Sequence, residues 1–451
     1  MSEKLVVIGG TAAGLSAASK AKREGDFEAT IIEKTGYTSY GACGLPYFVG
    51  GTIEDASALV TLTPQELHDK RNMQVHLHCE VLSIDRGEKR IEVQNLQTQC
   101  RFSVPYDKLV IATGAAPIFP NLPGIHLKGV FGLRSVEDGL HLRQQIARGD
   151  VCIVGGGFIG LELASELAAS GHTVTIIERL SHVLPTVNED FAAIIENELQ
   201  KSGVTLHTGA ELKEIEGQNG SVCAAITTKG RVPCATLIMC IGVRPNIQLA
   251  QNCGLAIGST GAIQVNSSFR TSDDSIWACG DCIETYHVVT GRPVYMPLGT
   301  HANKQGKCAG AAIAGNSVKN PGVAGSQIAK IASLYVGGTG LSEREAQAAG
   351  FSPVVVTIKK NDCASYYPGG KECRIRLVGD QQTKAVLGGQ AIGGASIAGR
   401  INVIAAAVSA KMSVAELAAL DMVYAPPVAP VYDPIIIAAE QLVKEIERRE
   451  P

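Results

Sequence analysis

Two segments of the chain share one plan: an apolar strand runs into a glycine-rich turn, a small-residue helix follows, and a second strand ends on a glutamate. The first segment begins at Leu5–Ile8 and ends at Glu33, and the second begins at Val151–Val154 and ends at Glu178. In both, the acidic residue follows the turn by roughly 20 positions, the spacing of dinucleotide-binding units. The glycines of such a unit let the backbone approach pyrophosphate at a helix N-terminus, and the carboxylate binds ribose hydroxyls. The repetition predicts an α/β protein with two Rossmann-like dinucleotide-binding domains.

The two turns differ in detail. The second, GGGFIG from Gly155 to Gly160, matches the GxGxxG pattern in full, whereas the first, GGTAAG from Gly9 to Gly14, has Thr11 in the middle. A single glycine match is weak evidence, because glycine turns end many strands. Two matches, each with its acidic partner, are much stronger. We therefore expect two dinucleotides, or one dinucleotide and one flavin.

Three further apolar strands end at small or acidic residues. They are LVIATG, which ends at Gly114, LIMCIG, which ends at Gly242, and IWACGD, which ends at Asp281. Ligands of α/β sheets bind at the carboxyl ends of strands. From about Pro321 onward there is no further glycine turn, but two strand-like runs (KIASLYV and PVVVTIKK), a helix start at Ser342 with capping-box spacing, and the proline-rich tail YAPPVAPVYDP. We expect a separate α+β domain there.

The length, net charge and residue content of the chain limit the kinds of function it can have. A chain of 451 residues predicts two to four domains, and a net charge of −3 gives no reason to expect a nucleic acid or a membrane surface as partner. No apolar run approaches the ~18 residues of a membrane span, and the N-terminus enters the first strand directly, so we expect a cytoplasmic protein. Thirteen scattered cysteines do not make a disulfide framework, and the ten histidines show no metal-binding spacing.

In this order the glycine turns and strand ends resemble the FAD-dependent pyridine nucleotide–disulfide oxidoreductases, over essentially the whole chain. The resemblance implies a discontinuous FAD-binding domain (residues 1–114 and 244–321), an inserted NAD(P)H-binding domain (115–243) and a C-terminal dimerisation domain (322–451). It also implies a homodimer. FAD and NADH, with NADPH as the other possibility, are the implied cofactors.

Carried over motif by motif, the resemblance implies two sets of cofactor-binding residues. The FAD set is Gly9, Gly10, Ala12, Ala13, Gly14, Glu33, Lys34, Val81, Ala112, Thr113, Gly114, Gly280 and Asp281. The NAD(P)H set is Gly155, Gly157, Phe158, Ile159, Gly160, Glu178, Arg179 and Gly242. Glu178 favours NADH because a carboxylate repels a 2′-phosphate, and the adjacent Arg179 weakens that preference. Phe158 resembles the aromatic gate of the nicotinamide pocket; ordinary packing at a helix start is the alternative.

The stretch SYGACGLPY contains Cys43, and neither of the family's two spacings for a redox pair is present. The position three after Cys43 is Pro46 and the position five after it is Phe48. The chain therefore resembles the single-cysteine subgroup, which includes coenzyme A-disulfide reductases, NADH oxidases and NADH peroxidases. This implies that Cys43 is the redox-active nucleophile, that its reactive form is a thiolate with a lowered pKa, and that Glu162 lies near the flavin and the nicotinamide. Ser39 either hydrogen-bonds near the sulfur or caps the helix that carries Cys43.

The run YYPG, from Tyr366 to Gly369, and the tail motif that begins at Tyr424 resemble the coenzyme A-disulfide and polysulfide reductase branch. In that branch tyrosines of the other subunit line the sulfur site, and we carry this role, with proton donation, to Tyr424 and Tyr367, with Tyr366 as the alternative to Tyr367. Ala42 departs from the asparagine that the coenzyme A enzymes often carry, which leaves the identity of the disulfide open. Lys20, Lys22 and Arg23 are candidates for the phosphates of coenzyme A, with a solvated helix face as the alternative.

These residues predict a NAD(P)H- and FAD-dependent reductase of coenzyme A disulfide or of per- and polysulfides, acting through a mixed disulfide or persulfide of Cys43. The alternative in the same fold is an NADH oxidase that reduces O₂ through a Cys43 sulfenic acid. Such oxidases place a histidine inside the first turn, where this chain has Ala12. An electron-transfer reductase of a small redox protein is the alternative from another class, and its members lack the flavin-side cysteine.

Overall fold

The computed structural model of the protein describes residues 2–146 and 149–449. The first part of the chain contains β1 (Glu3–Ile8), α1 (Ala12–Glu24), β2 (Phe27–Ile32), α2 (Leu45–Gly50), α3 (Pro64–Arg71), β3 (Met73–His76), β4 (Cys79–Asp85), β5 (Arg90–Asn95), β6 (Arg101–Pro105) and β7 (Lys108–Ile111). The second part contains β8 (Ala115–Pro117), β9 (Val130–Phe131), α4 (Val136–Gln145), β10 (Val151–Val154), α5 (Phe158–Ala169), β11 (Val174–Ile177), α6 (Glu189–Lys201), β12 (Thr205–His207), β13 (Leu212–Gln218), β14 (Ser221–Thr227), β15 (Gly230–Pro233), β16 (Thr236–Met239) and β17 (Val243–Pro245).

The third part contains α7 (Gln248–Asn252), β18 (Ile276–Ala278), β19 (Thr285–Tyr286), β20 (Pro293–Val294) and α8 (Gly299–Ile313). The last part contains β21 (Gln327–Ile331), β22 (Leu334–Gly340), α9 (Glu343–Ala349), β23 (Pro353–Asn361), β24 (Glu372–Asp380), β25 (Val386–Gly393), α10 (Ile397–Ala410), α11 (Val414–Ala418) and α12 (Pro434–Arg448). Short 3₁₀ turns cover Ala42–Gly44 and Ala56–Leu59.

The first sheet has the strand order β18–β7–β1–β2–β3, and all four pairings are parallel. Its central strands are apolar and buried over Leu5–Ile8 of β1 and Leu109–Ile111 of β7, as expected for strands covered on both faces. The direction of strand succession reverses between β1 and β7, and ligands bind at such a reversal. Because β18 comes from the third part of the chain, this sheet is discontinuous in sequence.

The second sheet repeats the arrangement with the order β12–β11–β10–β16–β9, again entirely parallel. The strand succession reverses between β10 and β16. A small antiparallel sheet, β13–β14–β15, completes this unit. The two parallel sheets therefore confirm the predicted pair of Rossmann-like units.

The last part of the chain forms an antiparallel sheet, β21–β22–β25–β24–β23, whose apolar face packs against α10 and α12. The sequence run KIASLYV, which we expected to be one strand, is a hairpin. It reverses after Ile331, and Ala332 takes a left-handed conformation with φ +51°. The capping box at Ser342 is present as predicted. Together the two Rossmann-like units and this α+β domain confirm the fold class. Among the described residues, no helix combines the length and apolar character needed to cross a membrane.

Helices α1 and α8 lie side by side against the first sheet, and glycines permit their close approach. A Cβ atom on Gly306 of α8 would collide with the carbonyl oxygen of Ala13 and would lie 2.8 Å from Cβ of Ser16. Gly310, one turn further on, faces the backbone of Ala17 in the same way. The contact thus fixes the start of α1, and with it the first glycine turn.

We predict that Gly306→Ala destabilises the protein, because the added methyl group must push α8 away from α1. Overpacking of this kind costs about 1–3 kcal/mol. Gly399→Ala in α10 is the matched control: apart from the neighbouring residues and backbone of its own helix, no atom of the described residues lies within 4 Å of its Cβ position. Alanine should therefore stabilise that helix by about 0.5–1 kcal/mol. Thermal denaturation of both variants measures the difference, and a Gly306→Ala variant as stable as the wild type would contradict the packing argument.

Candidate active site

The first glycine turn is tied to the end of β2 by a buried carboxylate. Glu33 accepts a hydrogen bond from the backbone N–H of Gly10 (2.6 Å) and another from the N–H of Thr35 (2.9 Å). Gly9 has φ +106°, and a side chain at Gly14 would collide with the carbonyl oxygen of Gly9. The turn is therefore as tight as a pyrophosphate-binding turn must be, and its geometry requires glycine.

The second turn repeats this geometry. Glu178, buried at the end of β11, accepts hydrogen bonds from the N–H groups of Gly156 (2.7 Å) and Leu180 (2.7 Å). Gly155 has φ +109°, and a side chain at Gly160 would collide with its carbonyl oxygen. The two units thus share not only a sequence pattern but the same carboxylate–backbone contact.

Polar groups from distant segments complete the first site. The Arg134 guanidinium contacts the Asp281 carboxylate at 2.7 Å, although the two residues are 147 positions apart. Thr113 donates its hydroxyl hydrogen to the carbonyl of Asn246 (2.7 Å). Arg134 belongs to no motif, so the sequence alone does not single it out. Backbone donors at the start of α1, a buried carboxylate and an Arg–Asp pair at the strand ends fit a dinucleotide.

Glycines also turn the chain at the three predicted strand ends. Gly114, Gly242 and Gly280 have φ values of +67°, +108° and +84°. These left-handed conformations strongly favour glycine, which explains why each of the three motifs contains a glycine at this position. Ala112 lies two residues before the first of them, and its N–H donates to the carbonyl of Ile8.

The remaining predicted cofactor residues lie around the two turns. Ala12 and Ala13 open α1, and Gly157 is the N-cap residue of α5, which begins at Phe158 and Ile159. Phe158 is half-buried, whereas Ile159 and Arg179 are exposed. Val81 is buried in β4, and the Lys34 ammonium lies 2.8 Å from Glu80. The contacts of all these residues with a cofactor stay predictions.

Cys43 lies in the 3₁₀ turn before α2, and it is a free, exposed cysteine. Partial burial raises the pKa of its thiol, the negative charges of Glu162 and Asp281 raise it further, and Arg134 and the local backbone lower it. The expected lowering of this pKa is therefore not achieved by the protein's own groups.

Glu162 on α5, whose charge raises the pKa of this thiol, is paired with a tyrosine from the Cys43 stretch. The Tyr47 hydroxyl donates to Oε1 of Glu162 (3.1 Å). Burial raises the pKa of Glu162 to about 7, while the bonds from Tyr47 and from the backbone of Lys330 lower it. Glu162 can consequently hold or release a proton near neutral pH. Tyr47 was not predicted, although it stands four residues after Cys43.

Ser39 does not cap the helix that carries Cys43. Its hydroxyl pairs with Thr61 Oγ1 (2.7 Å), and Gly41 occupies the N-cap position of the 3₁₀ turn without a side-chain cap. Ser39 instead connects the two parts of the site, because its N–H donates to the carbonyl of Gly10 (2.9 Å). Its φ of +51° marks the sharp turn that this connection requires.

The predicted tyrosines lie on the C-terminal domain. The hydroxyls of Tyr366 and Tyr424 are 2.9 Å apart, so the structure joins Tyr424 to Tyr366 rather than to the first-choice residue, Tyr367. All three side chains are exposed. The carbonyl of Pro426 accepts a hydrogen bond from the N–H of Ala364, which links the two tyrosine-bearing segments.

The basic residues proposed for coenzyme A lie along α1. Lys20 forms an ion pair with Glu24, and the Lys22 ammonium donates to the carbonyl of Phe27 (2.8 Å). Arg23 is exposed. Their contact with phosphate groups stays a prediction, and two of the three cations already have partners within the chain.

Comparison with known proteins identifies the family. Residues 3–306 match the pyridine nucleotide-disulphide oxidoreductase family, and residues 326–434 match the dimerisation domain of these proteins. The chain therefore belongs to the pyridine nucleotide-disulphide oxidoreductase family, as its motifs predicted. It is an enzyme of this class, with FAD and NAD(P)H as cofactors, and its dimerisation domain supports a homodimer.

Individual relatives are similar over nearly their whole length. A protein of Pyrococcus horikoshii named NAD(P)H coenzyme A polysulfide/persulfide reductase is 38% identical over 447 residues, which are 98% of this chain and 99% of the relative. A protein of Methanocaldococcus jannaschii named NADH oxidase is 36% identical over 99% of this chain and 100% of its own length. The solved structure of a NAD-dependent persulfide reductase from A. fulgidus has a TM-score of 0.95 and 35% identity, and it covers 99% of this chain and 84% of that chain.

We predict that Glu162→Gln makes Cys43 more reactive toward alkylation. Removing the carboxylate charge lowers the pKa of Cys43, so the thiolate fraction at a fixed pH below that pKa increases several-fold. The pH–rate profile of iodoacetamide labelling should shift to lower pH, followed on the Cys43 peptide by mass spectrometry in a Cys100→Ser background, because Cys100 is also exposed. Glu166→Gln, one helical turn away, should change the profile less. An unchanged profile for Glu162→Gln would show that the charge does not act on the thiol.

Proposed function

We propose that this protein is a NAD(P)H-dependent reductase of coenzyme A disulfide or of per- and polysulfides, acting through Cys43. One observation carries the proposal. Cys43 is a free, exposed thiol, and the charged groups that act on its pKa come from both dinucleotide units: Asp281 from the first and Glu162 from the second. A thiol at this junction can pass electrons from the cofactors to a sulfur substrate. The names of relatives that act on coenzyme A polysulfide or on persulfide add support.

The chemistry follows from a lone thiol. FAD, when bound, would supply sulfur with the two electrons that NAD(P)H provides. The Cys43 thiolate attacks one sulfur of the substrate disulfide, a Cys43–sulfur bond forms, the substrate S–S bond breaks, and one thiolate leaves. Two electrons then cleave the Cys43 mixed disulfide, which restores the Cys43 thiolate and frees the second thiolate. With a polysulfide, attack on a terminal sulfur gives a Cys43 persulfide and a chain one sulfur shorter, and the same two electrons release hydrosulfide.

The departing thiolates need protons, and the tyrosine pair is the proposed source. Tyr366 and Tyr424 are exposed and hydrogen-bonded to each other, so one phenol can donate while the other stabilises its oxygen. Around them lies a set of exposed large apolar side chains: Val423, Val428, Val431 and Tyr432. Such a patch is typical of an interaction surface. We propose that this surface meets the partner subunit and brings the pair to the partner's thiol.

An NADH oxidase is the second candidate, and the relative with that name favours it. Reduction of O₂ through a sulfenic acid requires a proton donor beside the sulfur. Where the oxidases carry a histidine, this chain has Ala12, whose methyl group at the start of α1 cannot transfer a proton. An electron-transfer reductase is less well supported, because it has no use for an exposed thiol at Cys43.

We predict that Cys43→Ser abolishes NADH-dependent reduction of coenzyme A disulfide and polysulfide, with a loss of about 10³-fold or more, since serine cannot form the mixed disulfide. The measurement offers wild type and variant NADH with each acceptor separately: coenzyme A disulfide, polysulfide and O₂. Cys308→Ser, at a partly exposed cysteine on α8, is the matched control. The proposal fails if Cys43→Ser keeps disulfide turnover, or if O₂ is the best acceptor of the wild type.

We also predict a preference for NADH that depends on Glu178. Replacing its carboxylate by the amide in Glu178→Gln removes the charge that repels a 2′-phosphate, while an oxygen remains to accept the turn N–H. The ratio of kcat/KM for NADPH to that for NADH should rise about tenfold. Arg179→Ala should move the ratio in the opposite direction. A ratio unchanged in both variants would place the 2′-position away from these side chains.

A further inference from the structure

The tyrosine pair belongs to two chain segments that meet at a buried arginine. Arg400 of α10 is only 6% exposed. Its Nε and Nη2 atoms contact the Asp433 carboxylate, the shortest distance being 2.8 Å. The same Nη2 donates to the carbonyl oxygen of Asp362 at 3.1 Å. One guanidinium group thus contacts two segments that are far apart in sequence.

The first of these segments is the tail that carries Tyr424. It begins at Tyr424 and ends at Asp433, where α12 starts. Asp433 is buried and also caps α12, because its carboxylate accepts a hydrogen bond from the N–H of Ile435 (2.9 Å). The tail is therefore anchored at its C-terminal end by Arg400 and by the helix.

The second segment is the loop between β23 and β24, which carries Tyr366. Its first turn contains Asp362, whose carboxylate accepts hydrogen bonds from Ser396 Oγ (2.7 Å) and from the N–H of Lys371 (2.8 Å). With the side chain of Asp362 used in this way, its carbonyl oxygen is turned toward Arg400. The base of the loop is therefore fixed to the same helix as the tail.

Beyond Arg400 the two segments contact each other directly. The N–H of Ala364 donates to the carbonyl of Pro426 (3.1 Å), and the hydroxyls of Tyr366 and Tyr424 are 2.9 Å apart. A hydrogen bond between two hydroxyls tolerates only a few tenths of an ångström. The relative position of the loop and the tail therefore decides whether the pair forms.

A buried ion pair is weak evidence for stability, since an apolar replacement of the same volume is often as stable. What an apolar side chain cannot do is bind a carboxylate and a carbonyl at fixed angles, as the planar guanidinium does. We propose that Arg400 is a positioning residue, which sets the loop and the tail so that Tyr366 and Tyr424 reach the sulfur site as one hydrogen-bonded pair. This inference rests on the proposed function, in which the pair protonates the leaving thiolates.

The test uses the FAD-loaded dimer and two variants. Arg400→Lys keeps the charge but loses the forked geometry. Asp433→Asn weakens the ion pair yet keeps the helix cap, because asparagine caps as well as aspartate. Arg376→Lys is the matched control, since Arg376 of β24 is also mostly buried and pairs with Glu343 at 2.9 Å. Dimer mass and denaturation temperature are recorded for each protein.

Stopped-flow mixing separates the two half-reactions. We expect reoxidation of the reduced enzyme by coenzyme A disulfide to slow about 10- to 100-fold in Arg400→Lys and Asp433→Asn, because misplacing a proton donor by about 1 Å costs about that much. Flavin reduction by NADH should change less than about twofold, since the pair acts only on sulfur. The double variant Arg400→Lys/Tyr424→Phe should be reoxidised at nearly the same rate as Tyr424→Phe alone. Arg376→Lys should leave both rates at the wild-type level.

The outcomes distinguish the inference from the function on which it rests. If Tyr424→Phe and Tyr366→Phe slow reoxidation but Arg400→Lys and Asp433→Asn do not, Arg400 has no positioning role and the inference alone is overturned. If both tyrosine variants react as fast as the wild type, the proton-donor role fails and the inference fails with it. A lower denaturation temperature with unchanged reoxidation in the Arg400 and Asp433 variants would make the ion pair structural only, which also overturns the inference.

Discussion

The nucleotide-binding architecture depends on one hydrogen bond that occurs twice. A buried carboxylate at the end of a strand accepts it from the backbone N–H of the second glycine in the neighbouring turn. Glu33 does this for Gly10, and Glu178 does it for Gly156. A buried carboxylate is tolerable only when it is hydrogen-bonded, so each turn and its strand stabilise one another. The contact fixes the start of the following helix relative to the neighbouring strand. Pyrophosphate binds at the start of the helix and ribose at the end of the strand, so this contact also sets the spacing between the two binding groups. The rest of each unit is arranged around it.

The features that the sequence predicted are local ones. Apolar strands, glycine turns and acidic strand ends lie within about 30 residues of each other, so the two Rossmann-like units, their carboxylates and the lone Cys43 could be recognised without a structure. The contacts that the sequence could not predict connect distant segments. Arg134 meets Asp281 across 147 positions and Tyr47 meets Glu162 across 115, and both contacts depend on how the units pack. The hairpin at Ala332 was missed because no glycine, proline or asparagine marks its turn.

The site divides its chemistry among the three domains. In the proposed function, the first unit supplies the thiol, the second supplies Glu162, and the C-terminal domain would supply the tyrosines, whose pairing also depends on packing. In sequence, Tyr366 and Tyr367 are equally placed to meet Tyr424, and only the folded loop selects Tyr366. The raised pKa of Cys43 also depends on groups from more than one unit. Burial and the carboxylates of Glu162 and Asp281, which belong to different units, raise the pKa of this thiol, and Arg134 lowers it.

The discontinuity of the first sheet has a consequence for synthesis on the ribosome. Strand β7 ends at Ile111, but its outer neighbour β18 begins only at Ile276, after the whole second unit. At about 5–20 residues per second, the edge of β7 waits on the order of ten seconds or more for its partner to emerge. During that interval Leu109, Val110 and Ile111, all fully buried in the finished protein, present an open strand edge in the nascent chain. Because the second unit is continuous in sequence, we expect it to reach its final form within this interval, before the unit into which it is inserted.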